Sequence, residues 1–163
     1  MRFFLLLTLC FLAACAPARL DRTGFANSAV ISGFLPDKSE GAGYKIGEQV
    51  RFSFQLARAG FVTLLSYGAT GNTTPLESNV QLGLGKHTFP RADDRQGNAQ
   101  AAYVVGAPTG QNRVVLIFTN VALKTVPRGR LDNAQLETAI KLAIEGSNAQ
   151  IIDLSETNIE VTP

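Results

Sequence analysis

The 163-residue chain has no tryptophan, one histidine, one methionine and two cysteines. Each scarcity removes a class of chemistry. A zinc centre needs three or four nitrogen, sulfur or carboxylate ligands, and His87 with Cys10 and Cys15 makes a poor start. A Ser-His-Asp triad has only His87 to build on, and that residue sits in a Gly-Lys-His-Thr-Phe-Pro stretch that reads as an edge strand. Charge of one sign is lacking too. Fifteen Lys and Arg nearly balance thirteen Asp and Glu. No basic stripe is present, so a nucleic-acid partner is not expected.

The N-terminus supplies the most specific signal. Arg2 is a minimal positive region, and Phe3 to Ala14 is an apolar run broken only by Thr8 and Cys10. That run is shorter than the roughly 20 apolar residues a spanning helix needs. A basic start, a short apolar core and small residues at its end mark a secretory signal over residues 1–14. Leu12-Ala13-Ala14-Cys15 resembles a bacterial lipobox. The resemblance implies cleavage before Cys15 and acylation of its thiol; cleavage at another small-residue site is the alternative. Two or three acyl chains anchor firmly where one binds marginally. With Cys10 removed and Cys15 acylated, no thiol remains for a disulfide or a thiolate metal site. Ala16 rather than Asp follows the cysteine, which in a two-membrane organism implies the outer membrane. Residues 15–24 read as a lipidated, solvated tether, and 25–163 as one domain of ordinary size.

Period-two patterning dominates that domain. Ser28 to Leu35 reads as a first strand, with Gly33 at a bulge. Gln49 to Ala57 alternates Val50, Phe52, Phe54 and Leu56 with polar residues, so one face packs inward. Phe61 to Tyr67 is apolar on both parities and predicts a central strand, paired to its predecessor in a hairpin at Gly60. Gly68 to Asn98 is punctuated by glycine and proline and reads as the least regular region, with short strands at 73–76 and 87–89. Gln100 to Val105 and Arg113 to Thr119 read as strands joined across an Ala107-Pro108-Thr109-Gly110 type I turn.

Leu131 to Gly146 predicts one helix. Asp132 and Gln135 form a capping box, and Leu131 and Leu136 a hydrophobic staple. Leu136, Ile140, Ala143 and Ile144 trace one face. Glu137 and Lys141 pair at i,i+4, and Gly146 supplies a left-handed stop. Gln150 to Val161 closes the domain as a strand. The fold class is therefore mainly β: an antiparallel, Ig-like β-sandwich with one C-terminal amphipathic helix and a closing strand.

Other motifs weigh little. Gly83-Leu84-Gly85-Lys86-His87-Thr88 copies half a phosphate loop, without its first glycine or a following helix. Asp93-Asp94 lacks the alternating oxygen ligands of a calcium loop. No metal and no cofactor are expected.

The pattern Tyr44-x-Ile46-Gly47-Glu48-x-Val50, then Gly60-Phe61-Val62-x-Leu64-Leu65, Gly71, Leu76 and Asn79, resembles the DUF4384 domain. Gly85 to Pro90, one residue shorter, and Ala107 to Gly110, with Ala for the first Gly, resemble its later "G-x-x-x-x-F-P" and "G-P-x-G" segments. The chain departs at Leu76-Glu77-Ser78-Asn79, where the family prefers L-F-P-N. The resemblance implies a β-sandwich of bacterial envelope and multidomain proteins, and no established chemistry. No catalytic residue is expected. The functional expectation is a membrane-anchored, non-catalytic binding or structural module of a cell-envelope assembly, with another envelope protein as its partner. Its partner surface is expected on loops: Thr73, Thr74, Leu76, Glu77 and Asn79, with Arg91, Asp93, Asp94 and Arg95. The alternatives are a carrier holding a small ligand under the helix and an envelope hydrolase with a paired-carboxylate cleft.

Overall fold

A computed structural model describes residues 19–22 and 24–163; the expected signal and Cys15 lie outside them. The elements run β1 (Ile31–Pro36), β2 (Gly43–Lys45), β3 (Gln49–Val50), β4 (Phe52–Leu56), β5 (Gly60–Tyr67), β6 (Asn72–Leu82), β7 (Gly85–Phe89), β8 (Arg95–Gln96), β9 (Ala99–Gln100), β10 (Tyr103–Val104), β11 (Gly110–Thr119), β12 (Gly129–Arg130), α1 (Asn133–Ser147) and β13 (Ile152–Thr162).

Alternation decides which face each strand buries. Phe52, Phe54 and Leu56 on β4 turn inward while Ser53 and Gln55 face water. They belong to a three-stranded sheet ordered β1-β4-β7. It lies over a six-stranded sheet ordered β12-β6-β5-β11-β13-β2. Between them is the larger core, in which Phe34, Phe52, Phe54 and Phe89 meet Val62, Leu64, Leu116 and Phe118. β5 and β11 are apolar on both parities because each of their faces is covered. Leu65, Val115 and Ile117 point away from the sandwich and pack with Leu136, Ile140 and Ile144 of α1. The molecule is thus three layers: small sheet, large sheet, helix.

The β-sandwich with its helix and closing strand is as the sequence predicts. The strand pairing is antiparallel except where β13 runs parallel to β2. The register of β1 on β4 shifts between Ser32 and Leu35, around Gly33 at φ +62°, so the expected bulge is present. The helix begins on the expected capping box at Asp132 and Gln135.

Several local expectations fail. β4 and β5 form no hairpin: β4 pairs with β1 and β7, β5 with β6 and β11. Gly60 is required for another reason. A Cβ there would lie 2.4 Å from the Phe118 ring, so the chain crosses between sheets where only glycine fits. Gln49 to Ala57 breaks at Arg51 because β3 pairs with β10 instead. β10 does not pair with β11, and the Ala107–Pro108 bond between them is cis. Gly68 to Asn98 is not mainly loop, since β6 alone spans 11 residues. Pro75 and two register shifts against β5 hid it; period-two reading fails across bulges. Helix α1 ends at Asn148 in the left-handed region at φ 60°, not at Gly146. Lys141 lies 3.9 Å from Glu145 rather than pairing with Glu137, which accepts from the Asp21 N–H.

The tether expectation fails where it can be seen. Leu20 is buried in the helix-side core. Its N–H donates to Glu156 Oε1 at 2.9 Å, and Arg22 Nη2 donates to Asp153 Oδ1 at 2.8 Å. From Arg19 onward the chain is part of the fold.

Candidate functional site

The residues expected on a partner loop divide into two groups. Thr73, Thr74, Leu76, Glu77 and Asn79 all lie on β6. Thr73 is buried near the β12 end, where Gly129 pairs with it. Thr74 is exposed beside it, its hydroxyl accepting from the Asn72 amide at 3.3 Å. Leu76 is half-buried against the main core and lines a cavity of about 80 Å³ with Phe52, Tyr103 and Val114.

Asn79 is structural. It adopts φ 53°, and its amide pairs with the backbone of Leu123: Nδ2 donates to the Leu123 carbonyl and Oδ1 accepts the Leu123 N–H, both at 2.8 Å. The side chain takes the place of a neighbouring strand and ties the segment after β11 onto β6.

Glu77 is the one β6 residue that joins the charged turn. Its carboxylate accepts from the Tyr103 hydroxyl, and it adds to the field at Arg91. Arg91 makes an ion pair of 2.7 Å with Asp94, and the Asp94 carboxylate also accepts the Arg91 N–H at 2.9 Å. The Arg91 hydrogen bond holds the Asp94 carboxyl below the ordinary range. Burial, then Glu77, pushes the Tyr103 phenol well above its ordinary range. Asp93 and Arg95 stand exposed on the same turn. They lead into β8 and β9, a two-residue-deep hairpin whose residues are all exposed. The arrangement is a braced base of Glu77, Tyr103, Arg91 and Asp94, carrying a charged tip that nothing in the domain covers.

His87 lies on β7, an outer strand of the small sheet, with Nε2 2.8 Å from the Gly83 carbonyl. That is the edge-strand place expected of it. Among the described residues no group of three or more His, Cys, Asp or Glu is placed to hold a metal ion. No helix there is long and apolar enough to cross a membrane.

Sequence reasoning missed a buried polar system on the helix side of the large sheet. Arg113 and Glu156 are 3 % and 6 % exposed at their side chains and 3.4 Å apart. Arg113 also donates to Asn133 Oδ1 at the start of α1 and stacks 4.8 Å from the Tyr67 ring centre. Burial pushes the Glu156 carboxyl above its ordinary range, against the opposing pull of the Leu20 N–H and of Arg113. One signal was available: the charge of Arg113 directly before the apolar run Val114 to Phe118. Under the helix, Leu136, Ile140 and Ile144 pack onto the large sheet. An open groove of about 500 Å³ lies beside the end of α1, between Phe25 and Glu145.

The Tyr-x-Ile-Gly-Glu motif is likewise a brace. Tyr44 is buried, and its hydroxyl donates to Asp37 Oδ1 at 2.6 Å. Burial and that bond push the phenol up to about 12. Glu48 closes the turn by accepting the Lys45 N–H at 2.9 Å and pairs with Lys38. No curated protein and no solved structure matches this chain. The family model described as "Domain of unknown function (DUF4384)" matches residues 43–122, from the brace at Tyr44 to the segment that Asn79 clamps, and this stretch of the chain is a DUF4384 domain.

Proposed function

We propose that the protein is a lipid-anchored envelope module, seated on the outer membrane where the cell has two, that binds another envelope protein and catalyses nothing. The observation that carries this reading is the fastening of Arg19 to Arg22 onto the large sheet, directly behind the lipobox-like Leu12-Ala13-Ala14-Cys15. Three residues separate Cys15 from Arg19, and the four peptide steps reach at most ~14 Å. A body fixed that close to its anchor is a rigid membrane-side platform. The exposed tip of Asp93, Arg95 and the β8–β9 hairpin is the surface for the partner, since a loop braced on a rigid sheet suits recognition.

The test is affinity purification of the full chain from native envelopes. Wild type is expected to retain a partner that Asp93→Ala with Arg95→Ala loses, at unchanged thermal stability. Arg91 and Asp94 are left in place so that the turn keeps its shape. Cys15→Ser is expected to move the protein out of the membrane fraction. Retention of every partner by the double variant would sink the binding surface, and membrane retention of Cys15→Ser would sink the anchor.

A further inference from the structure

The large sheet ends, at the C-terminal tip of β13, in a largely apolar cap beside Lys45. Three segments are stitched together there by backbone bonds. Ile46 N–H donates to the Thr162 carbonyl at 3.1 Å, Gly47 N–H to Val105 at 2.8 Å, and Val105 N–H to Glu48 at 2.8 Å. Gly110 stands opposite Val161. Ile46 is 47 % exposed and Val104 61 %, and Ala107 and Pro108 are exposed beside them. Gln96 to Asn112 contains no charged residue. Of the nearby carboxylates, Glu48 is paired with Lys38 and Asp132 caps the helix. Lys45 is exposed at the tip, opposite Thr162. The other exposed large apolar side chains are Leu35 on β1 of the small sheet, Leu84 in the β6–β7 turn at the opposite end of the large sheet, and Leu142 on the helix.

The N-terminal path points at this cap. Arg22 meets Asp153, the Leu20 N–H meets Glu156, and Arg19 meets Glu40 at 3.0 Å. Glu40 adjoins Gly41, whose N–H donates to the Asn158 carbonyl. Each step moves along β13 toward its tip. From Asn158 to Thr162 is about 13 Å of strand, and the four peptide steps from Arg19 back to Cys15 span at most ~14 Å. The cap is therefore within the anchor's reach.

We propose that this cap, built on Ile46, Val104 and Pro108, is the face that rests on the phospholipid surface, so that the large sheet stands end-on to the bilayer with the Leu84 turn outermost. The proposal rests on the anchor reading above. The apolar side chains enter the headgroup boundary as interfacial anchors do, and Lys45 meets lipid phosphate.

The test uses the full, acylated chain carrying one added cysteine at Ile46, Val104, Leu84 or Leu142, labelled with an environment-sensitive fluorophore. Vesicles of phosphatidylethanolamine and phosphatidylglycerol are used with and without nitroxide-bearing lipid. Labels at 46 and 104 are expected to shift to the blue and to be quenched about twofold by the nitroxide lipid, with 84 and 142 unaffected. Equal quenching at 84 or 142 overturns the orientation. A shift at 46 and 104 without quenching assigns the cap to a second copy or another protein and overturns the lipid assignment, as does no shift. The mass of the N-terminal peptide separates the two readings. An unacylated Cys15 removes the anchor and the proposal together, whereas an acylated Cys15 with water-exposed 46 and 104 removes the proposal alone.

Discussion

Residues 43–122 and the segments flanking them are not held in the same way. The matched stretch is fastened mainly by apolar contact: Phe54 lies 5.2 Å from Phe89 and Phe52 6.3 Å from Tyr103, ring centre to ring centre. The flanks share in both apolar cores and add a set of buried polar groups to them. Asp153 alone takes four hydrogen bonds, from the N–H groups of Val30, Ile31 and Leu154 and from Arg22. Yet the flanks are not appendages. β13 lies between β11 and β2 inside the large sheet, and β1 completes the small one. Removing either would expose strand edges, which proteins avoid leaving open. The limits of the family match are therefore not the limits of the folding unit.

Asp153→Ala gives this comparison its hardest blow. The side chain is 1 % exposed, and its loss leaves two buried N–H groups, Val30 and Ile31, with no acceptor. Breaking a buried charged cluster costs about 3–5 kcal/mol, read as a lower urea midpoint at unchanged slope. A loss below about 1 kcal/mol would mean that water replaces the carboxylate and that the flanks are held by apolar burial after all. Hydrogen exchange adds a second reading: the amides of Val30 and Ile31 should lose protection before those of β5.

Asn79→Ala tests the join from the other side, because Asn79 lies inside the matched stretch and its partner Leu123 just beyond it. The change removes both bonds to the Leu123 backbone and puts alanine at φ 53°, for a loss of about 2 kcal/mol. Asn79→Gly relieves the backbone and not the bonds, so it should recover only part. Full recovery with glycine would show that the asparagine is there for its conformation alone.

These residues also show how far the sequence could be read. Alternation exposed β4, and two-sided apolarity exposed β5 and β11, because in those strands burial follows a fixed period. The helix was legible because its cap and its stripe are local. Pairing was not: whether β4 turns back on β5 or crosses to the other sheet depends on Gly60 meeting Phe118, a contact 58 residues away in sequence. β6 stayed hidden because Pro75 and Asn79, turn residues by propensity, here blunt and clamp an outer strand. The expected partner surface suffered accordingly. Glu77, Arg91, Asp93, Asp94 and Arg95 do gather at one place, whereas Thr73, Leu76 and Asn79 serve the fold. Leu20 and Arg22 looked like a tether because their partners Glu156 and Asp153 lie more than 130 residues downstream.

The finest test of polar fastening is the pH response of Glu156. Its carboxyl lies above the ordinary value of 4.5, burial being the larger cause and the Leu20 N–H and Arg113 opposing it. A group whose folded pKa is raised contributes stability that is complete below the unfolded value and is lost as pH rises through the folded one. Asp94 and Glu48 run the other way: their carboxyls are held low, so their contributions are present above the ordinary values and vanish as pH falls. The separation is made with Glu156→Gln, which keeps the shape and cannot titrate. Relative to wild type, the variant should gain stability as pH rises from about 4 to 7, because only wild type must then hold a buried carboxylate. The effect is the smallest of the three and is read as a difference in slope between two stability–pH curves. Parallel curves would mean that Arg113 fully offsets the burial of its partner, and a variant that loses ground with rising pH would make this ion pair a net source of stability.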